Sequence, residues 1–476
     1  MGGFPNFPRE GRTMSSHMRT RHASGKKPAI KVVVAFCVLG LLLSASVAVM
    51  WAQVVAGDPG VRGGPSAAGA PLRGLTVQER SYFDAGLEEF ADADSVRGTI
   101  SGEPGRGLGP RFNLNSCGGC HAQPALGGSS PFINPQVAVA NLDGATNIIP
   151  SFITDNGPVR VARFKFKADG TRDGGAHDLY TITGRSDAPG CSIAQPDFGA
   201  AAANDNLIFR IPTPVFGAGL IETIEDAALI RNQSSNLAAK RALGISGRAN
   251  RNGNDGTVAR FGWKAQNKSL QLFAAEAYNV EQGVTNEIFP SERDETPSCL
   301  FNGTPEDHTN FDPGSQDATS DVVRLAIFMR FLAPPPPAPD TPSIVKGRVL
   351  FSQIGCALCH TPTLTTGASS GAALSSKPAN LFSDLLVHHM GSGLADSVVQ
   401  GQAGPDEFRT APLWGLGQRV FFLHDGRTTD LLEAIQAHAS PPTSNLLPSE
   451  GNRVAANFNR LSENQKQDVL NFLRAL

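Results

Sequence analysis

The sequence predicts a mainly α fold made of two similar units, the first of which is enlarged by a β-rich, irregular insertion. Three observations support this fold class. A Cys-x-x-Cys-His pentapeptide occurs twice, at residues 117–121 and 356–360. A proline-rich segment at residues 334–342 separates the two copies. Between residues 137 and 184, alternating apolar residues and turn signals replace helical spacing, which indicates strands.

The composition limits the class of protein. The chain has 476 residues, of which 40% are hydrophobic, enough for the cores of two or three ordinary domains. Its formal net charge of −2 gives no indication of nucleic acid as a partner. The 51 glycines and 34 prolines favour long irregular loops over a compact helical bundle.

Residues 1–56 are predicted to be a signal peptide or an N-terminal membrane anchor. A basic stretch precedes an uncharged apolar run, Val32–Trp51, and Ala56 offers a cleavage site. The run is long for a signal peptide and nearly long enough to span a bilayer, so both alternatives stay open. In either case the rest is exported, to the periplasm or the outer face of the cytoplasmic membrane. Membrane contact is expected through this segment alone.

The first unit is predicted to span residues 75–333, after a Gly-, Pro- and Ala-rich flexible linker at residues 57–74. Residues 76–90 carry apolar side chains at helical spacing and lead towards the first pentapeptide. Further helices are expected at residues 226–231 and 269–278, and strands at residues 137–140, 159–166 and 179–183.

The second unit is predicted to span residues 343–476, beyond the stiff proline-rich linker at residues 334–342. An amphipathic helix from Ser343 to Phe351 runs into the second pentapeptide. The final helix follows Ser462, a natural N-cap, and continues to the end of the chain.

Export also bears on the cysteines outside the pentapeptides. Of the 7 cysteines, Cys37 lies in the apolar run, and Cys191 and Cys299 are left without an assignment. Two leftover thiols in an oxidising compartment usually pair, so we predict a Cys191–Cys299 disulfide. The alternative is a pair of buried free thiols.

A loop from Asp169 to Gly174 offers two carboxylates, Asp169 and Asp173, in the manner of a calcium loop. So low a carboxylate count favours an ordinary turn. Ca²⁺ therefore stays open as an additional cofactor.

Both pentapeptides match the attachment signature of c-type haem. Two thiols can add to the vinyl groups of a haem, and the following imidazole becomes an axial ligand of its iron. A zinc site would need four ligands drawn together, which two distant motifs with one His each fit poorly. The sequence therefore predicts two covalently bound haems c and two cytochrome c-like haem domains. The residues concerned are Cys117, Cys120 and His121 in the first motif, and Cys356, Cys359 and His360 in the second.

Further segments carry a family resemblance: residues 107–113, 134–136, 209–222, 386–396, 410–417 and 422–435. Together they resemble the di-haem oxidoreductase (putative peroxidase) family, which is related to bacterial di-haem cytochrome c peroxidases. The resemblance extends from about residue 75 to residue 476. It implies that the haem on the first motif meets peroxide, while the haem on the second relays electrons.

The resemblance also implies roles for individual side chains. The peroxidases have a bridging Trp, then a Gln, then a Glu, and residues 261–283 are similar to that stretch. On this basis Trp263 is the candidate relay between the haems, Glu281 the acid–base group that moves a proton on peroxide, and Gln271 its polar neighbour. The alternatives are an ordinary core role for Trp263 and a solvated helix-end charge for Glu281.

The second haem needs a sixth ligand, a Met, His or Tyr that tunes its potential. The peroxidases usually place a Met just before the His-Asp-Gly, where this chain has Leu423. Met390 is therefore the first candidate, followed by His424. His388 and His438 are further alternatives, and each His can instead be a hydrogen-bonded structural residue.

These expectations combine into an oxidoreductase that reduces hydrogen peroxide with electrons from a small cytochrome c or cupredoxin. Two alternatives remain. One is a non-catalytic electron carrier in which both irons are six-coordinate. The other is an oxygenase that binds O₂ at the first haem, as the related rubber oxygenases do.

Overall fold

The computed structural model describes residues 55–311 and 318–476. The predicted signal peptide or anchor lies almost entirely outside these ranges. Within them, no helix combines the length and apolar character needed to cross a membrane. The predicted linker at residues 57–74 contains no helix, and Asp58 within it forms an ion pair with Arg474, at 2.6 Å.

Helices dominate the described chain because apolar residues recur at helical spacing and polar residues cap the ends. The first helix, for example, begins after Thr76, whose side chain accepts a hydrogen bond from the backbone N–H of Glu79 in a capping box. The helices are α1 (Val77–Ala91), α2 (Cys117–Cys120), α3 (Gln136–Val139), α4 (Phe198–Ala203), α5 (Ala218–Thr223), α6 (Asp226–Gln233), α7 (Leu237–Leu243), α8 (Leu270–Gln282), α9 (Asp321–Phe331), α10 (Pro342–Gln353), α11 (Leu431–Gln436), α12 (Asn452–Asn459) and α13 (Glu463–Ala475).

The strands are short and form small antiparallel sheets. Strand β2 lies between β3 and β5, and the remaining pairs are β1 with β4, β6 with β7, and β8 with β9. The strands are β1 (Arg111–Phe112), β2 (Val161–Phe164), β3 (Ala176–His177), β4 (Tyr180–Thr181), β5 (Leu207–Arg210), β6 (Leu364–Thr365), β7 (Pro378–Ala379), β8 (Val387–His389) and β9 (Glu407–Arg409). The molecule is thus mostly helical, with a few small sheets.

One predicted strand is wrong, because residues 137–140 fall largely in the single-turn helix α3. The Gln136 side chain is buried there and exchanges two hydrogen bonds with the backbone of Arg160, at 2.9 and 3.0 Å. These contacts hold the turn in place, whereas a four-residue apolar pattern alone does not distinguish a strand from a buried helix. Strands β2 and β4 do lie where alternation predicted them.

The three largest apolar cores among the described residues hold the chain together. The first includes Phe83 and Phe328 of helices α1 and α9. The second joins α10 to α13, where Gly347 lets the helices touch, since a Cβ there would lie 1.9 Å from the carbonyl oxygen of Asp468. The third lies under the small sheets and contains the Cys191–Cys299 disulfide, which the sequence predicted. Residues 55–476 form one compact unit, so a domain division at residues 334–342 stays a prediction.

Candidate functional site

The first Cys-x-x-Cys-His motif forms helix α2 and the residue after it. The backbone N–H of His121 donates to the carbonyl of Cys117, at 3.0 Å, which fixes the imidazole beside the two thiols. The Nδ1 atom of His121 lies 2.9 Å from the carbonyl oxygen of Gly128. A carbonyl oxygen can only accept, so Nδ1 carries the proton and Nε2 is free to bind a metal, the arrangement usual for histidine ligands.

The second motif repeats this arrangement on a 3₁₀ turn, Cys356–Leu358. Here Nδ1 of His360 lies 3.0 Å from the carbonyl oxygen of Phe382. Its Nε2 is therefore again the nitrogen available to a metal. Two unrelated local structures, a helical turn and a 3₁₀ turn, thus present the same set of two thiols and one oriented imidazole.

Each motif lines a cavity. The first cavity, of about 160 Å³, is lined by Cys117, Cys120 and His121, and the second, of about 230 Å³, by Cys356, Cys359 and His360. All four cysteines have free thiols. Thiols and a neutral imidazole at the wall of a mainly apolar cavity are the groups that covalent haem attachment requires.

Trp263 lines both cavities. Its indole N–H donates to the carbonyl of Ile211, at 2.8 Å, and its own carbonyl accepts from the backbone N–H of Arg409, at 2.8 Å. On the second-cavity side, its ring meets that of His424 edge-on, with centroids 6.3 Å apart. The indole is therefore hydrogen-bonded within a wall that the two cavities share.

Glu281 lines the first cavity, near the carboxyl end of α8. Burial raises the pKa of its carboxyl to about 7, and the charge of Asp178 adds to the rise, while Arg163 and Arg293 oppose it. A carboxyl with a pKa near 7 can both accept and donate a proton at neutral pH. The alternative interpretation, a solvated charge at a helix end, does not fit this position.

Gln271 is not a neighbour of Glu281. It is exposed and lies outside the lining of both cavities. Both residues belong to α8, and ten residues of helix separate them by about 15 Å. The glutamines that do line the first cavity are Gln136, Gln266 and Gln282, and the side-chain oxygen of Gln282 lies 2.9 Å from the Cys117 sulfur. The position of Gln282 directly after Glu281 in the sequence could have indicated that Gln282 is the polar neighbour.

The candidate sixth ligands all line the second cavity: Met390, His388, His424 and His438. Both ring nitrogens of His388 are engaged, Nδ1 with Glu450 at 2.7 Å and Nε2 with Asp384 at 3.0 Å. Together with Cys359, the Asp384 and His388 side chains could hold a metal ion, but the Cys359 thiol belongs to the haem motif. The ring of His424 stacks on Phe408, with centroids 4.3 Å apart, and burial lowers its pKa to about 4.

The loop considered for calcium is a turn. The Asp169 carboxylate accepts from the backbone N–H of Thr171, at 2.9 Å, and that of Asp173 lies 2.9 Å from Nε2 of His177. Both carboxylates are therefore occupied by neighbours in the chain.

Comparison with known proteins gives a family and two distant structures. A family model described as "Di-haem oxidoreductase, putative peroxidase" matches residues 163–476, which include the second motif, Trp263 and Glu281 but not the first motif. No curated protein matches the chain.

Among solved structures, "Crystal structure of a MauG-like protein associated with microbial copper homeostasis" is 17% identical, covers 34% of this chain and 54% of its own, and has a TM-score of 0.25. "Kuenenia stuttgartiensis Hydrazine Synthase Pressurized with 20 bar Xenon" is 16% identical, covers 35% and 59%, and has a TM-score of 0.22. The chain thus spans less than two thirds of either structure.

Proposed function

Because the chain belongs to the family described as di-haem oxidoreductase, putative peroxidase, we propose that it reduces hydrogen peroxide at the first cavity. Electrons enter at the second cavity and pass through Trp263. Each cavity holds one covalently attached haem c.

The observation that carries the proposal is the difference between the two cavities. The first contains Glu281, whose pKa is about 7, and among the described residues His121 is its one lining histidine. The second is lined by four histidines and Met390. A catalytic haem needs an open position and a proton-transfer group, whereas a relay haem needs a ligand on each side of its iron.

The side chains of the first cavity then have distinct tasks. Bound haem supplies the one-electron redox chemistry that amino-acid side chains lack. The Glu281 carboxylate takes a proton from the peroxide oxygen nearer the haem. It returns this proton to the other oxygen, which leaves as water. The guanidinium of Arg163 also lines the cavity and favours the charged form of Glu281. Reduction of one peroxide to two waters consumes two electrons and two protons.

Electrons are proposed to come from a small cytochrome c or cupredoxin. The indole of Trp263, in the walls of both cavities, offers a direct path between the two haems. The enzyme is proposed to work outside the cytoplasm, in the periplasm or at the outer face of the membrane. The Cys191–Cys299 disulfide supports this location, because disulfides persist in oxidising compartments.

Peroxide-driven oxidation of a reduced cytochrome c tests the proposal. Glu281→Gln is expected to lower the rate about 100-fold or more, the usual contribution of general acid–base catalysis. Glu295→Gln is the matched control, because it makes the same change at an exposed carboxyl. An unchanged rate in Glu281→Gln would contradict the role of Glu281.

Two other results would reject the peroxidase. If both haems are low-spin in the isolated protein and peroxide oxidises no reduced donor, the protein is an electron carrier. If peroxide is inert but O₂ is consumed together with an organic substrate, the protein is an oxygenase.

A further inference from the structure

His438 lies just beyond the carboxyl end of α11 and lines the second cavity. Its Nδ1 is 2.8 Å from the carbonyl oxygen of Ala434, one helical turn earlier. Because that oxygen can only accept, Nδ1 carries the proton. The free lone pair of the ring is therefore on Nε2, as in His360, whose Nδ1 contacts the carbonyl oxygen of Phe382 at 3.0 Å.

The two imidazoles are spaced for one metal atom between them. The ring centroids of His360 and His438 lie 6.4 Å apart, with their planes inclined by 56°. Imidazole nitrogens bind a metal at about 2 Å, so two rings on opposite sides of one ion have centroids roughly 6 Å apart. Rings in direct stacking contact are closer, as His424 and Phe408 are at 4.3 Å.

The other histidines of the cavity are less suited to this task. His388 has carboxylates within hydrogen-bonding distance of both ring nitrogens, so neither is free for a metal. His424 packs between Phe408 and Trp263, with its ring face against Phe408. His438 alone among these three combines an oriented free nitrogen with a ring whose centroid lies 6.4 Å from that of His360.

We propose that His438 is the sixth ligand of the second haem, so that its iron is held by two histidines, His360 and His438. The proposal rests on the haem assigned above to the second cavity. It ranks His438 ahead of His388 and His424, and Met390, which lines the same cavity, is the alternative that the experiment decides. A second haem with two histidine ligands is closed to peroxide, and its potential is lower than one with a methionine ligand would be. Both properties suit a relay that passes electrons on to the first haem.

The ligand set can be identified by electron paramagnetic resonance and near-infrared magnetic circular dichroism of the oxidised protein. We expect one low-spin haem with a bis-histidine signature. His438→Ala should convert it to a high-spin species, and added imidazole should restore the low-spin signal. The matched control is His308→Ala: His308 is exposed, and its Nδ1 also contacts a backbone carbonyl oxygen, that of Glu306.

His438→Met supplies a second readout, because it keeps a ligand at this position. We expect a methionine-to-iron signature and a higher midpoint potential for this haem. The proposal is overturned if the wild-type protein already has the methionine signature and Met390→Leu removes it. It is also overturned if His424→Phe, rather than His438→Ala, abolishes the low-spin signal.

Haem stoichiometry separates this proposal from the one on which it rests. Two haems per chain in the wild-type protein, and their loss one at a time in Cys117→Ala/Cys120→Ala and Cys356→Ala/Cys359→Ala, support the two attachment sites. If the wild-type protein carries one haem, attached at the first motif, there is no second haem for His438 to bind and the His438 proposal is wrong. An inactive protein with two haems and a bis-histidine signature would reject the peroxidase but keep His438 as the ligand.

Discussion

Glu281→Gln should change how the stability of the protein depends on pH. The Glu281 carboxyl faces the first cavity, and burial is the main reason that its pKa rises from 4.5 to about 7. In the unfolded chain the carboxyl is solvated and titrates at its ordinary value. Between the two pKa values the unfolded state loses this proton while the folded state keeps it.

The magnitude follows from proton linkage. Each pH unit between the two pKa values is equivalent to about 1.4 kcal/mol. A rise from 4.5 to about 7 in the pKa of Glu281 therefore removes about 3 kcal/mol of folding free energy. This stability is fully present below pH 4.5 and is lost as the pH rises to about 7. Glutamine has no proton to lose, so the variant lacks this loss.

The assay is denaturant unfolding of the wild-type and Glu281→Gln proteins at about pH 4 and pH 8. The difference in free energy of unfolding between the two proteins should shift by about 3 kcal/mol in favour of the variant at the higher pH. Because wild type and variant are compared at both pH values, the contributions of the other titrating groups, which the two proteins share, cancel. Glu295→Gln, at an exposed carboxyl, should show no such shift. An equal difference at both pH values would refute the burial argument for Glu281.

Three further changes test other parts of the structure. Replacing Cys191 and Cys299 by Ala opens a loop of 108 residues and should lower the free energy of unfolding by about 4 kcal/mol, measured under non-reducing conditions. Asp58→Asn breaks the buried ion pair between Asp58 and Arg474, whose side chains are 7% and 4% exposed, respectively. It should lower the free energy of unfolding, measured with denaturant, by about 3 kcal/mol, and a change near zero would contradict this. Trp263→Phe should slow peroxide-driven donor oxidation about tenfold, equivalent to about 1.4 kcal/mol, with haem content unchanged; an unaltered rate would exclude the relay.

Local patterns predicted the helices well, because spacing and caps are carried by neighbouring residues. Helix α13 begins after Ser462, its predicted N-cap, and α1 lies within the stretch where apolar spacing predicted a helix. The strand predicted at residues 137–140 was wrong because the helical turn there is held by hydrogen bonds between Gln136 and Arg160, which are far apart in the sequence. Gln271 was misplaced for a related reason, since spacing along a helix does not tell which face lines a cavity.

By itself, the sequence determined the two attachment motifs, because thiols, imidazole and their spacing act within five consecutive residues. It also determined the pairing of Cys191 with Cys299, through the count of leftover thiols. Only the tertiary structure decided that Trp263 lines both cavities and that Glu281 is shielded enough to titrate near neutral pH. It also decided that the rings of His360 and His438 lie near each other, with centroids 6.4 Å apart. These properties depend on burial and on distances between remote segments, which no local pattern encodes.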